Sequence, residues 1–328
     1  MLTVDAVQIA GSPNNRSLRE GANKLGQKYG IWFIFLLVVV VASATIPAFR
    51  DVDNLTNVLK QAAVLGILAI GQTFVIVAGL VDLSVGMAAG LVVVMTCALT
   101  DGAGTWVAPV TLLMLVGGIC LGGLNGYLIE RLKVHSVIFT FGMLSILQGL
   151  IFTYTDSTVG SAPLVLKSLA NDQFFGIPNS AILLAVVALL AHCLLTHSRF
   201  GYHLMAAGGS PQNAARAGVN VFRLRILAFA LSGLSAAVAG LLLAGRLGTG
   251  YPLAGSGLEL DAVVAVVLGG TALMGGRGSV LNSVGGVLTL TVISNALNLL
   301  EISSFVQMFL KGAIVVLAIL ANRARQNQ

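Results

Sequence analysis

The sequence predicts an all-α polytopic membrane protein with about ten transmembrane helices and both termini in the cytoplasm. Of its 328 residues, 57% are hydrophobic and 9% are charged, whereas about a quarter of the residues in a soluble domain are charged. A soluble fold with so few charges would expose apolar surface almost everywhere. The basic residues lie in short clusters between apolar runs and form no stripe, which argues against a nucleic-acid partner. The composition therefore excludes an ordinary soluble enzyme and favours membrane lipid as the surroundings.

Runs without charge predict the individual spans. A helix needs about 20 residues to cross the hydrocarbon core, and eight runs of at least 18 residues contain no Asp, Glu, Lys or Arg. These runs are 29–49, 61–81, 83–100, 102–129, 134–155, 173–198, 226–245 and 278–300. The stretch 302–322 predicts a ninth span, interrupted only by Lys311. The stretch 262–276 is short and predicts either a tilted tenth span or a re-entrant segment.

The distribution of basic residues favours ten spans over nine. With a cytoplasmic N-terminus and ten crossings, thirteen Lys and Arg residues lie inside and four lie outside, namely Arg50, Lys60, Lys167 and Arg246. This asymmetry is the one that the positive-inside rule expects. The chain then divides into a cytoplasmic segment 1–28, a membrane domain 29–322 with a long cytoplasmic loop 196–225, and a cytoplasmic tail 323–328. Cleavage at a signal-peptidase-like site at 42–44 would remove the first span and upset this balance.

The sequence shows neither an ATP-hydrolysing motif nor a catalytic site. The nearest approach to a phosphate-binding loop, Gly270–Gly278, has Arg277 where that motif needs a lysine. The three cysteines and four histidines lack the spacing of metal ligands. We therefore expect no catalytic, metal-binding or cofactor-binding residue and no cofactor. A self-contained carrier coupled to an ion gradient would need ionisable groups in its spans, and Asp82 and Lys311 are the candidates.

Glycines mark two structural features. Gly118, Gly122 and Gly126 lie four residues apart, which predicts one helix face suited to close packing. In the segment 71–86, Gly79 can end one helix, and Asp82 or Ser84 can cap the next by accepting a bond from its free amides. This pattern predicts a tight helical hairpin and by itself requires no functional role.

The longest cytoplasmic loop contains a second constellation, which predicts a short capped helix. The loop includes Ser210, Pro211, Gln212, Asn213, Ala214, Ala215, Arg216, Ala217 and Gly218. Serine is a preferred cap, proline suits the first helical position and glycine fits the end, so we expect about two helical turns from Pro211 to Ala217. A helix this short is not stable alone in water. It is therefore interpreted as a docking element for a cytoplasmic partner, with small alanines that fit a groove, or as a helix on the membrane surface helped by Phe200 and Phe222.

These segments resemble the permease subunits of bacterial ABC importers for ribose and other monosaccharides. The matching stretches are 71–86, 200–221, 256–278 and 294–311, and the resemblance runs from about Ile31 to the C-terminus. Leu80 departs from the pattern, which usually has a second glycine there. The resemblance implies a fold of the ABC importer permease type, a location in the bacterial inner membrane and no enzymatic activity in this chain. It also implies pairing with a second permease copy or paralogue, cytoplasmic ATP-binding cassette ATPases docked on residues 210–218, and a periplasmic or extracellular sugar-binding protein.

Polar residues within the spans are candidates for a sugar path. Gln72, Asn295 and Asn298 offer donors and acceptors for hydroxyl groups, and the two asparagines share a helix face. The alternative is hydrogen bonding between helices, which we favour for Asn125 because it lies beside the packing glycines.

The leading prediction is import of a monosaccharide, a ribose-like pentose or a hexose, driven by ATP hydrolysed in partner subunits and selected mostly by the binding protein. The alternatives are an ABC permease for branched-chain amino acids, nucleosides or a furanose signal, and a self-contained secondary carrier.

Overall fold

The computed structural model describes residues 13–303, 305–310 and 312–313, with side chains from Tyr29 onward. The predicted tail 323–328, the start of the predicted segment 1–28 and Lys311 lie outside this description. The helices in chain order are α1 (Pro13–Thr45), α2 (Val52–Val77), α3 (Val85–Thr100), α4 (Val107–Leu132), α5 (Ser136–Tyr154), α6 (Leu164–Asn171), α7 (Asn179–His197), α8 (Arg199–Gly209), α9 (Pro211–Arg216), α10 (Val221–Leu247), α11 (Leu258–Leu268) and α12 (Val280–Leu299). A small hairpin, β1 (Gln173–Phe174) and β2 (Ile177–Pro178), precedes α7.

Each of the eight charge-free runs overlaps a helix over most of its length. Within the described residues, six helices are long and apolar enough to cross a membrane: α2, α4, α5, α7, α10 and α12. The apolar part of α1, Tyr29–Thr45, and helix α3 are shorter. Residues 305–310 and 312–313 of the predicted ninth span are helical, and the rest of that span from 314 onward lies outside the described residues. The helical class and the multiple spans are therefore confirmed, while the number ten remains a prediction.

The run 173–198 is not helical throughout. Its first six residues form the β1–β2 hairpin, because Phe175 and Gly176 both adopt positive φ and turn the chain there. Pro178, which lacks an N–H, then occupies the position just before α7, where no intrahelical bond is needed. The absence of charge alone did not distinguish this turn from a helix.

Helix α11 covers only the first part of the short stretch 262–276. It has 11 residues, or about 16 Å of helix, roughly half of a hydrocarbon core. Positive φ angles at Gly270, Gly275 and Gly276 prevent its continuation. Around α11, the chain runs from the end of α10 to the end of α2. It starts where Gly250 bonds to Val159 near the end of α10, and it arrives where the Gly276 N–H donates to the Val77 carbonyl at 2.9 Å.

Helices α2 and α10 form the centre of the bundle. From Ala62 to Val77, every residue of α2 is buried, and α10 packs against α2, α3, α4 and α6. By contrast, α4, α5 and α7 expose large apolar side chains such as Leu113, Ile138 and Leu190. An apolar core thus lies inside an equally apolar outer surface, as expected for a protein surrounded by lipid.

The contact between α4 and α10 depends on glycines, as predicted. A Cβ on Gly122 would lie 2.1 Å from the carbonyl oxygen of Phe229, and a Cβ on Gly233 would lie 2.0 Å from the carbonyl oxygen of Gly118. Because these neighbours are backbone atoms, they cannot move aside as a flexible side chain does. At one end of the same contact, Arg225 Nη1 donates to Glu130 Oε1 at 2.7 Å.

We predict that Gly122→Ala destabilises the bundle, whereas Gly123→Ala does not. The nearest atom to a Cβ on Gly123 is 3.9 Å away, so that variant is a matched control on the same helix. Overpacking a tight contact costs about 1–3 kcal/mol, so the purified Gly122 variant should melt at a lower temperature than the parent in detergent. Equal melting temperatures for the two variants would contradict the glycine contact.

Candidate translocation and coupling sites

The first candidate site is the helix break formed by residues 78–84. Helix α2 ends at Val77, and Gly79 follows with φ +80°, confirming that this glycine ends the helix. The break lies beside Ser232, the twelfth residue of α10 (Val221–Leu247). At 1.5 Å per residue, Ser232 is about 16 Å from the start of that helix. The break is therefore deep within the bundle and not at its edge.

Side chains from α5 satisfy the backbone of this break. The Val81 N–H donates to Ser136 Oγ at 3.2 Å, and the Leu83 N–H donates to Thr140 Oγ1 at 3.0 Å. Non-helical backbone at membrane depth is tolerated only where protein or water supplies such partners. Two hydroxyl groups on a neighbouring helix thus allow the chain to leave the helical conformation here.

Asp82 holds the break together. Its Oδ1 accepts bonds from the Ser84 N–H at 3.0 Å and the Ser84 hydroxyl at 2.6 Å, and its Oδ2 accepts from Ser232 Oγ at 3.0 Å. The predicted cap is therefore partly present: Asp82 accepts the amide of Ser84, while Ser84 makes no capping bond of its own. Asn125 Nδ2 donates to Ser84 Oγ at 3.0 Å, which supports the interhelical interpretation of Asn125. Both carboxylate oxygens serve as anchors within the protein.

The predicted path residue Gln72 belongs to the same network. It is fully buried. In the amide orientation that satisfies both of its atoms, its nitrogen donates to the Asp82 carbonyl at 3.1 Å and its oxygen accepts from the Asp82 N–H at 3.2 Å. Gln72 therefore connects α2 to the break that follows it through two hydrogen bonds to the backbone of Asp82.

The predicted path residues Asn295 and Asn298 lie elsewhere and have different partners. Asn295 forms a reciprocal amide pair with Asn54 on α2, with distances of 2.7 and 3.0 Å. Asn298 accepts a bond from Gln307 Nε2 at 2.7 Å. The structure does not bring Gln72 together with these two asparagines, and each of the three residues bonds to protein. These contacts favour hydrogen bonding between helices over a shared sugar path.

The second candidate site is the loop helix α9, which has the predicted start. Ser210 Oγ accepts from the Asn213 N–H at 3.4 Å, Pro211 opens the helix and Gly218 has φ +82°. The helix ends at Arg216, one residue before the predicted end. The rest of the predicted loop is more ordered than expected, because α8 fills residues Arg199–Gly209.

Most of α9 faces outward, with one exception. The exposed residues are Pro211, Gln212, Asn213, Ala215, Arg216, Ala217 and Gly218. Ala214 is 6% exposed and belongs to the hydrophobic core. The expectation that Ala214 contributes to an outward small-residue face is therefore wrong: one side of a two-turn helix must rest on the protein, and Ala214 lies on that side. Ala215 and Ala217 remain available to a partner.

Helix α8 connects this surface to the helix breaks. A Cβ on Gly208 would lie 1.8 Å from the Val77 carbonyl oxygen and 2.7 Å from the Gly276 nitrogen. Backbone from α8, from the end of α2 and from segment 269–279 thus meets in direct contact.

Buried charges near α11 escaped the sequence analysis. Glu259 is 9% exposed, its Oε1 accepts from the Gly257 N–H at 3.2 Å, and its Oε2 finds no hydrogen-bond partner among the described residues. The Glu259 carboxyl group points at Gly86 in the first turn of α3 and lies in the first turn of α11, so it is close to the N-termini of two helices. The spans were predicted from runs without charged residues, so a buried carboxyl group such as Glu259 could not appear in them.

Comparisons with known proteins identify the family. Residues 54–319 match the family described as branched-chain amino acid transport system / permease component. The chain belongs to this permease family. The permease is 36% identical to the ribose import permease protein of Haemophilus influenzae, covering 88% of this chain and 91% of that protein. It is 35% identical to the ribose import permease protein of Bacillus subtilis, covering 91% and 94%.

A third relative comes from a different transport system. The L-arabinose transport system permease protein of Escherichia coli is 32% identical to the permease, covering 92% of each chain. No solved structure shows a significant match to the permease. Its many apolar helices and its family together make the permease a multi-pass membrane protein of the ABC importer type.

We predict that Asp82→Asn destabilises the permease, because asparagine keeps only one accepting oxygen and its Nδ2 cannot accept the bond that Ser232 Oγ donates to Asp82 Oδ2. Hydrogen bonds to charged groups contribute about 1.5–3 kcal/mol each, so the melting temperature in detergent should fall clearly. Asp101→Asn is the control, since Asp101 is exposed with φ 39°, a conformation that asparagine tolerates. An Asp82 variant that melts like the parent would contradict the anchoring role.

Proposed function

We propose that the permease is the membrane subunit of a bacterial ABC importer that moves a monosaccharide, a ribose-like pentose or a hexose, across the inner membrane. The observation that carries this proposal is the similarity to ribose and L-arabinose permeases along about nine-tenths of the chain. The family description, which mentions branched-chain amino acids, supports a second candidate substrate class. The near full-length relatives from sugar systems favour the sugar.

The energy for transport comes from partner ATPases in this proposal. The sequence contains no phosphate-binding loop of its own, and the exposed helix α9 offers a surface to a cytoplasmic partner. The contact of α8 with both helix breaks supports a mechanical path from the ATPase to the membrane core. The alternative of a self-contained carrier coupled through Asp82 is less favoured, because that carboxylate is fully engaged by Ser84 and Ser232.

The proposed orientation places α8 and α9 in the cytoplasm, with ten spans and both termini inside. The charge asymmetry supports it. A cysteine at exposed His203 should then react with an impermeant thiol reagent only from the inside, and one at exposed Thr105 only from the outside. The reverse pattern would contradict this orientation.

The remaining proposed partners are a second copy or paralogue of the permease and a periplasmic or extracellular sugar-binding protein. The broad apolar faces of α4, α5 and α7 are large enough to serve both lipid and a second permease. Native mass spectrometry of the purified complex tests the pairing, and a mass corresponding to one permease with its ATPases would contradict it.

We predict that Ala215→Asp abolishes ATPase association and sugar uptake while the bundle folds normally. A carboxylate there is solvated in the free permease but would be desolvated in a docked groove, which is costly without a partner charge. The measurements are co-purification of the ATPases and uptake of labelled sugar.

Two variants define the specificity of this test. Ala103→Asp places the same charge at an exposed position at the opposite end of the bundle and should leave ATPase association unchanged. Ala214→Asp should instead reduce the folded yield, because Ala214 is buried. An Ala215 variant that still binds ATPases and transports at the parental rate would show that docking occurs elsewhere.

A further inference from the structure

A polar cavity lies at the end of the bundle opposite α8 and α9. It has a volume of about 160 Å³, is open on one side and is lined by residues of α2, α10, α11 and α12. Its polar lining consists of Gln61, Arg246, Asp261, Thr291 and Ser294. The remaining lining residues are apolar side chains of the same four helices and the short segment before α11.

The spacing of the lining residues shows that whole helix faces converge on this cavity. On α10, Leu243 and Arg246 are three residues apart, and on α12, Leu290 and Ser294 are four apart. Such pairs lie on one helix face. Each of the four helices therefore contributes a face to the cavity, and together these faces provide both apolar and polar side chains.

Two ionisable side chains, Arg246 and Asp261, line this cavity. Ionisable side chains within a membrane bundle are costly, face interior or aqueous cavities, and mark pathways for solutes. Arg246 is also one of the four basic residues that the proposed orientation places outside, against the general bias of the chain. A guanidinium and a carboxylate in one cavity of this size are therefore candidates for a role in binding.

The chemistry of the lining fits a small polyhydroxylated solute. A sugar presents hydroxyl groups, each both donor and acceptor, and apolar C–H faces. The guanidinium offers donors in a fixed fork, the carboxylate offers acceptors, and the amide and hydroxyl groups offer both. Ligand sites in general combine an apolar wall with a few placed polar groups, and this cavity has that composition.

We propose that this cavity is a solute-binding site of the permease itself, in which Arg246 and Asp261 bind the hydroxyl groups of a monosaccharide as it leaves the binding protein. The inference rests on the proposed function and adds to it, because the permease then takes part in selecting the solute. Gln61, Thr291 and Ser294 complete the polar side of the site.

The first test measures access to the cavity. In cells that express the complete transporter, Ser294→Cys is treated from outside with a charged, impermeant methanethiosulfonate. Leu297→Cys is the control, because Leu297 lies on the same helix and does not line the cavity. Since this chemistry needs a solvated thiolate, Ser294→Cys should react at least about tenfold faster than Leu297→Cys. The unsubstituted parent, with Cys97, Cys120 and Cys193, gives the background.

The second test measures binding of the solute. Thr291→Val keeps the shape of the side chain and removes its hydroxyl, so uptake of D-ribose and L-arabinose at low concentration should fall about tenfold, as expected for one lost hydrogen bond at a desolvated site. Thr289→Val is the matched control, because the Thr289 hydroxyl donates to the Gly285 carbonyl of its own helix and lies outside the cavity lining.

The outcomes separate this inference from the proposed function. Equal, slow labelling of both cysteines, or equal uptake by the Thr291 and Thr289 variants, would overturn the solute site while leaving sugar import intact. If the parent transporter imports neither D-ribose, L-arabinose nor a hexose such as D-glucose, the proposed function fails, whatever the labelling rates of the two cysteines.

Discussion

The structure depends on one constraint: backbone that leaves the helical conformation deep inside a membrane bundle must find its hydrogen bonds within the protein. The break at 78–84 meets this constraint with hydroxyl groups of Ser136 and Thr140, and with the carboxylate of Asp82 bound by Ser84 and Ser232. Helices α2, α3, α5 and α10 are fixed relative to one another by these bonds. A buried carboxyl group, which is costly without partners, is tolerated here because three donors bond to it.

A second non-helical segment, 269–279, lies directly against this break. Gly276 donates to the Val77 carbonyl, and α8 contacts both segments through the backbone of Gly208. Both breaks lack regular helical bonds, and α8 touches both of them. This arrangement connects the surface of α9, where an ATPase is proposed to dock, with the centre of the bundle, about 16 Å deep along α10.

Much of this architecture could be predicted from sequence because hydrophobicity and capping act locally. The charge-free runs overlap helices over most of their length, Gly79 ends α2, and Ser210 caps α9. The sequence could not show that Gln72 and Asn295 bond to Asp82 and Asn54, because the partners of a polar side chain depend on how distant helices pack. It also did not indicate the cavity around Arg246 and Asp261, since those residues end the charge-free runs that defined the spans.

The most direct test of the account is solute uptake by proteoliposomes containing the permease, with and without its ATPases and binding protein. The account predicts uptake of D-ribose or another monosaccharide. This uptake should require both partners, and it should require ATP on the side of the membrane where the ATPases are bound. Uptake by the permease alone, driven by a proton or sodium gradient, would contradict it. ATP-dependent uptake of leucine without any monosaccharide uptake would support the ATP-driven mechanism and contradict the proposal that the solute is a sugar.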